Sequence, residues 1–166
     1  MEINNNHIRK YPIGIQSFEN LRREGYLYVD KTALIYRLIT TGKPYFLSRP
    51  RRFGKSLLLS TLKAYFEGKK ELFEGLAIEK LEKQWAVHPV LYLDLNAEKY
   101  DSVERLEMQM NSQLLNWESQ YGCDAKDWTY SIRFMNVIKA AYEQTGQQVV
   151  VLIDEYDKPM LESLHD

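Results

Sequence analysis

Two short apolar runs constrain the fold of this chain more than any other feature of its sequence. Residues 90–95 read Val-Leu-Tyr-Leu-Asp-Leu and residues 149–153 read Val-Val-Val-Leu-Ile, so polar residues do not alternate regularly with apolar ones. Strands of this kind are buried on both faces, as in parallel sheets that helices cover on each side. Segments with helical spacing of apolar residues lie between the runs and supply the crossover connection. The sequence therefore predicts an α/β fold with a mainly parallel sheet.

Cap residues and apolar spacing place the other elements. Asp30 is the predicted N-cap of a helix over 31–39, and Asp101 with Glu104 resembles a capping box that opens a long helix ending at Gly122. Further helices are predicted over 18–24 and 55–66 and from Ile132 to Gly146, with short helical pieces around 72–73 and 76–78 and β-prone runs at 26–29 and 45–48.

Length and charge limit the classes of protein that the chain can represent. Its 166 residues allow one domain with one core, and 22 basic against 23 acidic residues give a net charge of −1, which argues against a global basic field for nucleic acid. The lone Cys123 fits a reducing compartment, and the N-terminus lacks the basic-then-apolar pattern of a signal peptide. We therefore expect a cytoplasmic protein without a membrane segment.

The triplet Gly54-Lys55-Ser56 follows a predicted strand and opens a predicted helix, which is the context of a phosphate-binding loop. In such a loop, backbone N–H groups of the loop and of the helix start point at phosphate, and the lysine reaches its outer oxygens. The serine hydroxyl commonly coordinates Mg²⁺. The predicted nucleotide-binding residues are Arg51, Arg52, Phe53, Gly54, Lys55, Ser56 and Leu57.

The loop departs from the common phosphate-loop pattern at its start. Arg49 stands where the first glycine is expected, and Pro50 has no N–H to donate. Arg51 and Arg52 would offset this loss through direct guanidinium contacts with phosphate. The alternative is a solvated or acid-paired surface loop.

A second polar feature follows the last apolar run, where Asp154 and Glu155 end the predicted strand. A parallel strand delivers its carboxyl end to the crevice where ligands bind in open α/β sheets. We expect Asp154 to hold Mg²⁺ together with Ser56, and Glu155 to polarise the attacking water while Lys55 acts on the phosphates. Neighbouring residues of a strand point to opposite faces, which suits two roles. The alternative is that the two acids only begin a polar loop.

Three strings of residues together resemble the bacterial AAA-ATPase-like family. They are 28–32 (Tyr-Val-Asp-Lys-Thr), 46–56 (Phe-Leu-Ser-Arg-Pro-Arg-Arg-Phe-Gly-Lys-Ser) and 152–157 (Leu-Ile-Asp-Glu-Tyr-Asp), within a similarity that spans roughly residues 12–161. The resemblance makes Arg49 a shared feature of that family. It implies an ATP-binding domain of the P-loop NTPase fold, a three-layer α/β/α sandwich, with a Walker A-like loop at 49–56 and a Walker B-like strand at 149–155.

The resemblance also bears on how much of the family's protein is present. Members often carry a PD-(D/E)XK nuclease-like domain after the ATPase domain, and the sheet of an AAA-type domain normally gains another strand after the acidic one. We therefore expect residues 1–166 to be the N-terminal part of an AAA-type ATPase domain. Its sensor residue, arginine finger and lid would lie beyond Asp166.

Three functions follow from these features. The leading hypothesis is Mg²⁺-dependent ATP binding and hydrolysis, with turnover expected of the full-length protein. The second is an ATP-binding switch with slow or incidental hydrolysis that controls a partner or the nuclease-like domain. The third is a nucleic-acid-binding module that uses the basic cluster 49–55, against which the net charge argues. A homo-oligomer is a further partner left open.

Overall fold

The protein is described by a computed structural model that covers residues 10–42, 44–48, 50, 52–96, 102–124 and 128–159. The chain divides into two compact units, Met1–Trp85 and Ala86–Asp166. In the described residues, the N-terminal unit contains α1 (Phe18–Arg23), α2 (Thr32–Thr40), α3 (Lys55–Phe66), a 3₁₀ helix (Lys70–Phe73) and α4 (Ala77–Leu81). The C-terminal unit contains β1 (Val90–Asp94), α5 (Val103–Tyr121), α6 (Tyr130–Thr145) and β2 (Val150–Asp154).

Aromatic side chains form the core of the N-terminal unit. Phe18 of α1 and Phe73 of the 3₁₀ helix are fully buried, with ring centroids 4.9 Å apart. Tyr65 of α3 lies edge-on to Phe73, an arrangement that the ring quadrupoles favour. The backbone N–H of Phe18 also donates to Ser60 Oγ on α3 at 2.9 Å. Helix α3 is therefore anchored along its inner face by both packing and a hydrogen bond.

Asp30 and Thr32 join the start of α2 to the start of α4. One Asp30 carboxylate oxygen accepts from the Thr32 N–H at 2.8 Å and from its hydroxyl at 2.6 Å, and the other accepts from the Ala77 N–H at 2.7 Å. The Thr32 hydroxyl accepts from the buried Ile78 N–H at 3.0 Å. These bonds satisfy N–H groups in the first turns of two helices, which otherwise lack intrahelical partners.

These contacts also set the titration of Asp30. Although partial burial opposes the effect, the hydrogen bonds from Thr32 and Ala77 hold the pKa of the Asp30 carboxyl below its usual range. A lowered folded-state pKa means that the contribution of Asp30 to stability is present at neutral pH. That contribution is lost as the pH falls through the folded-state pKa.

Parallel pairing of β1 with β2 organises the C-terminal unit. The register places Val90 opposite Val150 and Asp94 opposite Asp154. Leu91 of β1 is fully buried in a cluster whose other buried members include side chains of both long helices. The crossover from β1 to β2 therefore runs through α5 and α6 and buries one face of β1 beneath them. The buried members of the cluster are Leu91, Leu93, Leu95, Leu114, Trp117, Tyr121, Val137 and Ala141.

A buried ion pair fixes α5 against α6. The Arg133 guanidinium donates to both carboxylate oxygens of Glu118 at 2.7 Å and to Asn111 Oδ1 at 2.6 Å. The side chain of Arg133 is 7% exposed and that of Glu118 is 3% exposed. Removing one member of such a pair leaves an uncompensated buried charge, which typically costs about 3–5 kcal/mol. The crossover that connects the two strands is thereby held in one arrangement.

Several predictions from the sequence are confirmed. Helix α3 has the predicted bounds, and the parallel pairing of β1 with β2 agrees with the α/β class and a parallel sheet. The acidic strand is shorter than predicted, since β2 ends at Asp154. The described residues form two hydrophobic clusters, one in each unit, where composition led us to expect one core.

The two β-prone runs at 26–29 and 45–48 form no strand, so these predictions were wrong. A strand depends on hydrogen bonds from a neighbouring strand. The described part of the N-terminal unit contains no strand that could supply them. Phe46 is 69% exposed and Leu47 is 45% exposed, so burial does not stabilise the second run either.

The predicted helix caps were correct in kind but not always in position. Lys31 rather than Asp30 is the N-cap of α2, although Asp30 still accepts from the first helical N–H. Asp101 lies outside the described residues, and Ser102 caps α5 by accepting from the Arg105 N–H. Of the helices that the structure describes, none combines the length and apolar character needed to cross a lipid bilayer.

We expect Thr32→Val to destabilise the chain by about 1–3 kcal/mol, because the buried Ile78 N–H would lose its acceptor. Urea unfolding followed by circular dichroism measures the free energy of unfolding. Thr40→Val is the matched control on the same helix, since the exposed Thr40 hydroxyl only donates to carbonyls of its own helix. Equal unfolding free energies for the two variants would contradict the role assigned to Thr32.

Candidate functional site

The backbone that leads into α3 alternates between positive and negative φ. Arg52 has φ 66° and Gly54 has φ 76°, whereas the intervening Phe53 is not in the positive region. Alternation of this kind turns successive N–H groups toward one side and forms an anion-binding concavity. This backbone is compatible with the predicted phosphate-binding loop, although the strand predicted before it at 45–48 does not form. Arg49 and Arg51 lie outside the described residues, so their predicted roles stay predictions.

The start of α3 differs from the starts of the other helices. Ser17, Ser102 and Thr129 accept hydrogen bonds at the starts of α1, α5 and α6. Gly54, the N-cap of α3, has no side chain to do so, and the first turn of α3 contains no acidic residue. The positive end of a helix dipole attracts an anion, and here the N-cap residue offers no side-chain acceptor that would take its place.

Packing of α3 keeps this helix start in place. Leu57 contacts the aromatic core of the N-terminal unit, and Thr61, which is fully buried, donates to the Leu57 carbonyl at 2.8 Å. Lys55 and Ser56 are half-buried, whereas Phe53 is 66% exposed. The loop presents Arg52 and Phe53 to solvent while the helix behind it is fixed. Such a site is preorganised, because its N–H groups are positioned by a packed element.

Two aspartates, Asp94 and Asp154, form the last residue pair at the carboxyl end of the sheet. Asp154 is 4% exposed, and its Oδ1 accepts from the Glu155 N–H at 3.0 Å. Asp94 lies directly opposite in the register, and its Oδ1 accepts from the Asn96 N–H at 2.8 Å. Carboxylates on adjacent strands repel each other when both are ionised, and a divalent cation removes that repulsion. Asp94 therefore accepts a hydrogen bond within the turn that follows β1, and it also lies beside Asp154, the predicted metal-binding residue.

Glu155 lies outside the strand, contrary to the prediction. Its φ of 51° is in the left-handed region, and the Lys158 N–H donates to its carbonyl at 3.0 Å in the turn that follows. The strand alternation that we used to separate the roles of Asp154 and Glu155 therefore does not set the direction of Glu155. A glutamate in this conformation is strained, and strained residues concentrate at functional sites.

Tyr92 belongs to the acidic end of the sheet, and the sequence analysis missed it. In the parallel register Tyr92 lies opposite Leu152, one pleat before the pair of Asp94 and Asp154. Burial, followed by the negative charges of Asp154 and Asp94, raises the pKa of Tyr92 well above its usual range. The signal was present in the sequence, because Tyr92 and Asp94 are two residues apart in a strand and so share a face.

Each half of the predicted site lies within one of the two units. Residues 52–57 belong to the N-terminal unit, and Asp154 and Glu155 belong to the C-terminal unit. The predicted pairings of Lys55 with Glu155 and of Ser56 with Asp154 stay predictions. In the described parts of the chain, no three His, Cys, Asp or Glu residues form a metal-binding group. Paired carboxylates are nevertheless the oxygen ligands that Mg²⁺ prefers, so Asp94 and Asp154 fit that ion chemically.

A groove of about 520 Å³ follows one side of α5. It lies close to the acidic end of the sheet, since the lining residue Gln109 donates to the Asp94 carbonyl at 3.1 Å. None of its lining residues belongs to the predicted site. They are Arg105, Met108, Gln109, Ser112 and Gln113.

The chain is similar to one protein family and to one longer protein. The AAA-ATPase-like family, described as predicted AAA-ATPase, matches residues 12–166. A protein of Azotobacter chroococcum mcd 1, named "Uncharacterized protein in vnfD 5'region", is 41% identical over 157 residues. The match covers 94% of this chain and 30% of the relative, so the chain spans less than a third of that protein's length. No solved structure matches the chain significantly.

Proposed function

This chain belongs to the AAA-ATPase-like family, and from that premise we propose that residues 52–57 bind the phosphates of ATP. Backbone N–H groups from Phe53 to Leu57 donate to the phosphate oxygens, and the Lys55 ammonium reaches the β and γ phosphates. The exposed Arg52 guanidinium adds a fork of donors, with Arg51 in the same role.

One observation carries this proposal. Helix α3 begins after a backbone of alternating φ, at a glycine that supplies no side-chain cap and without an acid in its first turn. The sequence could have closed this helix start with serine, threonine or aspartate, as it does elsewhere. A triphosphate would provide the acceptors that the cap residue Gly54 does not supply and the negative charge that the first turn of α3 does not carry.

We propose that Mg²⁺-dependent hydrolysis accompanies binding. Ser56 and Asp154 would hold the metal, which when bound neutralises charge on the phosphates and polarises their oxygens. The Asp154 carboxylate accepts from the Glu155 N–H at 3.0 Å, which restricts its orientation. Glu155, held at the strand end by its left-handed backbone, would orient the water that attacks the γ phosphate.

We also propose that the chain forms part of a three-layer P-loop fold. A three-layer P-loop fold would place the loop before α3 and the end of β2 at one edge of a larger parallel sheet. An arginine finger and a nuclease-like domain would lie outside the described residues. The protein would act as a homo-oligomer. The relative is more than three times the length of the matched region, which leaves room in that protein for further domains.

The strained backbone of Glu155 favours a second candidate function. A strained residue such as Glu155 can relax into a second backbone conformation when its surroundings change. Switch proteins use two such conformations. In this version the domain binds ATP and changes state, and hydrolysis is slow. Such a domain would control a partner or a downstream nuclease-like domain.

We expect Lys55→Ala to weaken binding of Mg²⁺-ATP by at least about ten-fold, because it removes a charged hydrogen-bond donor to phosphate. Isothermal titration calorimetry measures the affinity, and circular dichroism checks the fold. Lys63→Ala is the matched control, since Lys63 lies on the same helix beside Glu67 and away from the loop. Unchanged affinity in a folded Lys55→Ala variant, or equal losses in both variants, would contradict the proposed phosphate site.

We expect Glu155→Gln to separate the two candidate functions. If the domain hydrolyses ATP, this variant lowers turnover by about 10²–10⁴-fold while it keeps its affinity for Mg²⁺-ATP, because only the water-orienting carboxylate is lost. Phosphate release by the wild type and the variant is the measurement. A wild type that binds Mg²⁺-ATP but turns over no faster than Glu155→Gln would support the switch instead.

A further inference from the structure

Helix α6 carries apolar side chains on two opposite faces. Its inner face packs into the hydrophobic cluster of the C-terminal unit, where Val137 and Ala141 are fully buried. Its outer face carries Ile132, Met135 and Tyr142, which are 46%, 67% and 53% exposed. A surface helix of a soluble domain normally has one apolar stripe, with polar residues on the opposite face. The outer face of α6 therefore has the composition of a covered surface, although it is exposed.

The exposed residues of this outer face follow a regular spacing. Met135 comes three residues after Ile132, Lys139 comes four after Met135, and Tyr142 comes three after Lys139. Such steps place side chains along one line of a helix, as at the a and d positions of a heptad. We call these four residues the outer stripe. Exposed apolar residues of monomeric proteins are usually scattered singly, so a continuous line of them is typical of a helix–helix contact.

The other long helix of the unit exposes no line of this kind. Polar residues alternate with apolar ones along the corresponding line of α5. Its exposed residues are Glu104, Met108, Ser112, Leu115 and Ser119. Met108 is thus an exposed methionine outside any continuous apolar line, which makes it a control for Met135.

A second copy of α6 complements the outer stripe. In an antiparallel pair about a two-fold axis, every contact occurs twice, with the roles of the two copies exchanged. An axis near the middle of α6 places Ile132 opposite Tyr142 of the second copy. The same axis places Met135 opposite Lys139 of the second copy. All four positions of the stripe are covered in both copies by this one arrangement.

The one charged member of the outer stripe needs no acid from a partner. Lys139 Nζ lies 3.8 Å from Glu143 Oε1 of the same helix, and both side chains are exposed. A lysine covers apolar surface with its aliphatic stem while its ammonium stays in water. The Lys139 stem therefore covers Met135 of the second copy while the ammonium keeps its own acceptor.

Charge favours a second copy over a partner of another kind. A partner recognised through its acidic groups would find the cation of the stripe already beside Glu143. The net charge of the chain is −1, so two copies repel each other only weakly.

We propose that the outer face of α6 is the interface of a dimer of this chain, in which two α6 helices pack antiparallel. The inference rests on the homo-oligomer of the proposed function and assigns it a surface, but it requires no nucleotide. A contact limited to one helix of each copy is small, so we expect a reversible equilibrium between monomer and dimer.

Sedimentation equilibrium of the nucleotide-free chain over a range of concentrations measures the dissociation constant of the dimer. We expect Met135→Glu to raise this constant by at least about ten-fold, because each dimer would contain the substitution twice. Met108→Glu is the matched control, since Met108 is 71% exposed on α5 and lies outside the outer stripe. It should leave the constant unchanged.

A second variant should act in the opposite direction. Lys139→Met makes the outer stripe apolar throughout, and a polar residue at an a position costs a helix pair stability. We therefore expect this variant to lower the dissociation constant by at least about two-fold. Circular dichroism checks the fold of each variant, and Lys139→Met alone tests the interface if Met135→Glu does not fold.

The outcomes separate this interface from the rest of the proposed function. A wild type that stays monomeric up to about 0.5 mM would overturn both the interface and a homo-oligomer of this chain, and would not affect the ATP site. A dimer that Met135→Glu and Lys139→Met leave unchanged would show that the copies associate through another surface, which overturns the inference alone. Equal weakening by Met135→Glu and Met108→Glu would overturn it in the same way.

Discussion

The first turn of an α-helix has N–H groups without intrahelical acceptors, and in this chain the way they are satisfied distinguishes one helix from the rest. N–H groups at the starts of α1, α5 and α6 donate to the side chains of Ser17, Ser102 and Thr129. N–H groups at the starts of α2 and α4 donate to Asp30 and Thr32, which connect these two helices. Gly54 supplies no such acceptor to α3, whose far end is packed into an aromatic core. The fold thus provides a rigid helix whose start is suited to an anion.

A second constraint acts at the end of the sheet. Parallel pairing in the observed register places Asp94 beside Asp154, and the Arg133–Glu118 ion pair fixes the helices that connect the two strands. Two carboxylates on adjacent strands repel each other when both are ionised, and the N–H groups of Asn96 and Glu155 offset part of that repulsion by donating to Asp94 and Asp154. A divalent cation would offset the remainder. The proposed phosphate-binding loop and the acidic strand end each lie within one of the two units.

Much of this arrangement could be predicted from the sequence. The apolar runs identified β1 and β2, and the lysine and serine after Gly54 placed the start of α3 at the observed residue. The run at 45–48 was predicted wrongly because strand propensity alone does not provide a hydrogen-bonding neighbour. The positive φ of Arg52 and Glu155 could not be foreseen, since neither residue type favours that conformation. The placement of Asp94 opposite Asp154 depends on strand register, which the sequence does not specify by itself.

Backbone amide chemical shifts offer the most direct test of the central claim that residues 53–57 hold phosphate through their N–H groups. We would titrate the ¹⁵N-labelled chain with Mg²⁺-ATP and, as a control without phosphates, with adenosine. The account predicts that the largest ¹H–¹⁵N shifts occur at 53–57 with ATP and are absent with adenosine. Shifts confined to other segments, such as the groove along α5, or equal shifts with both ligands, would contradict it.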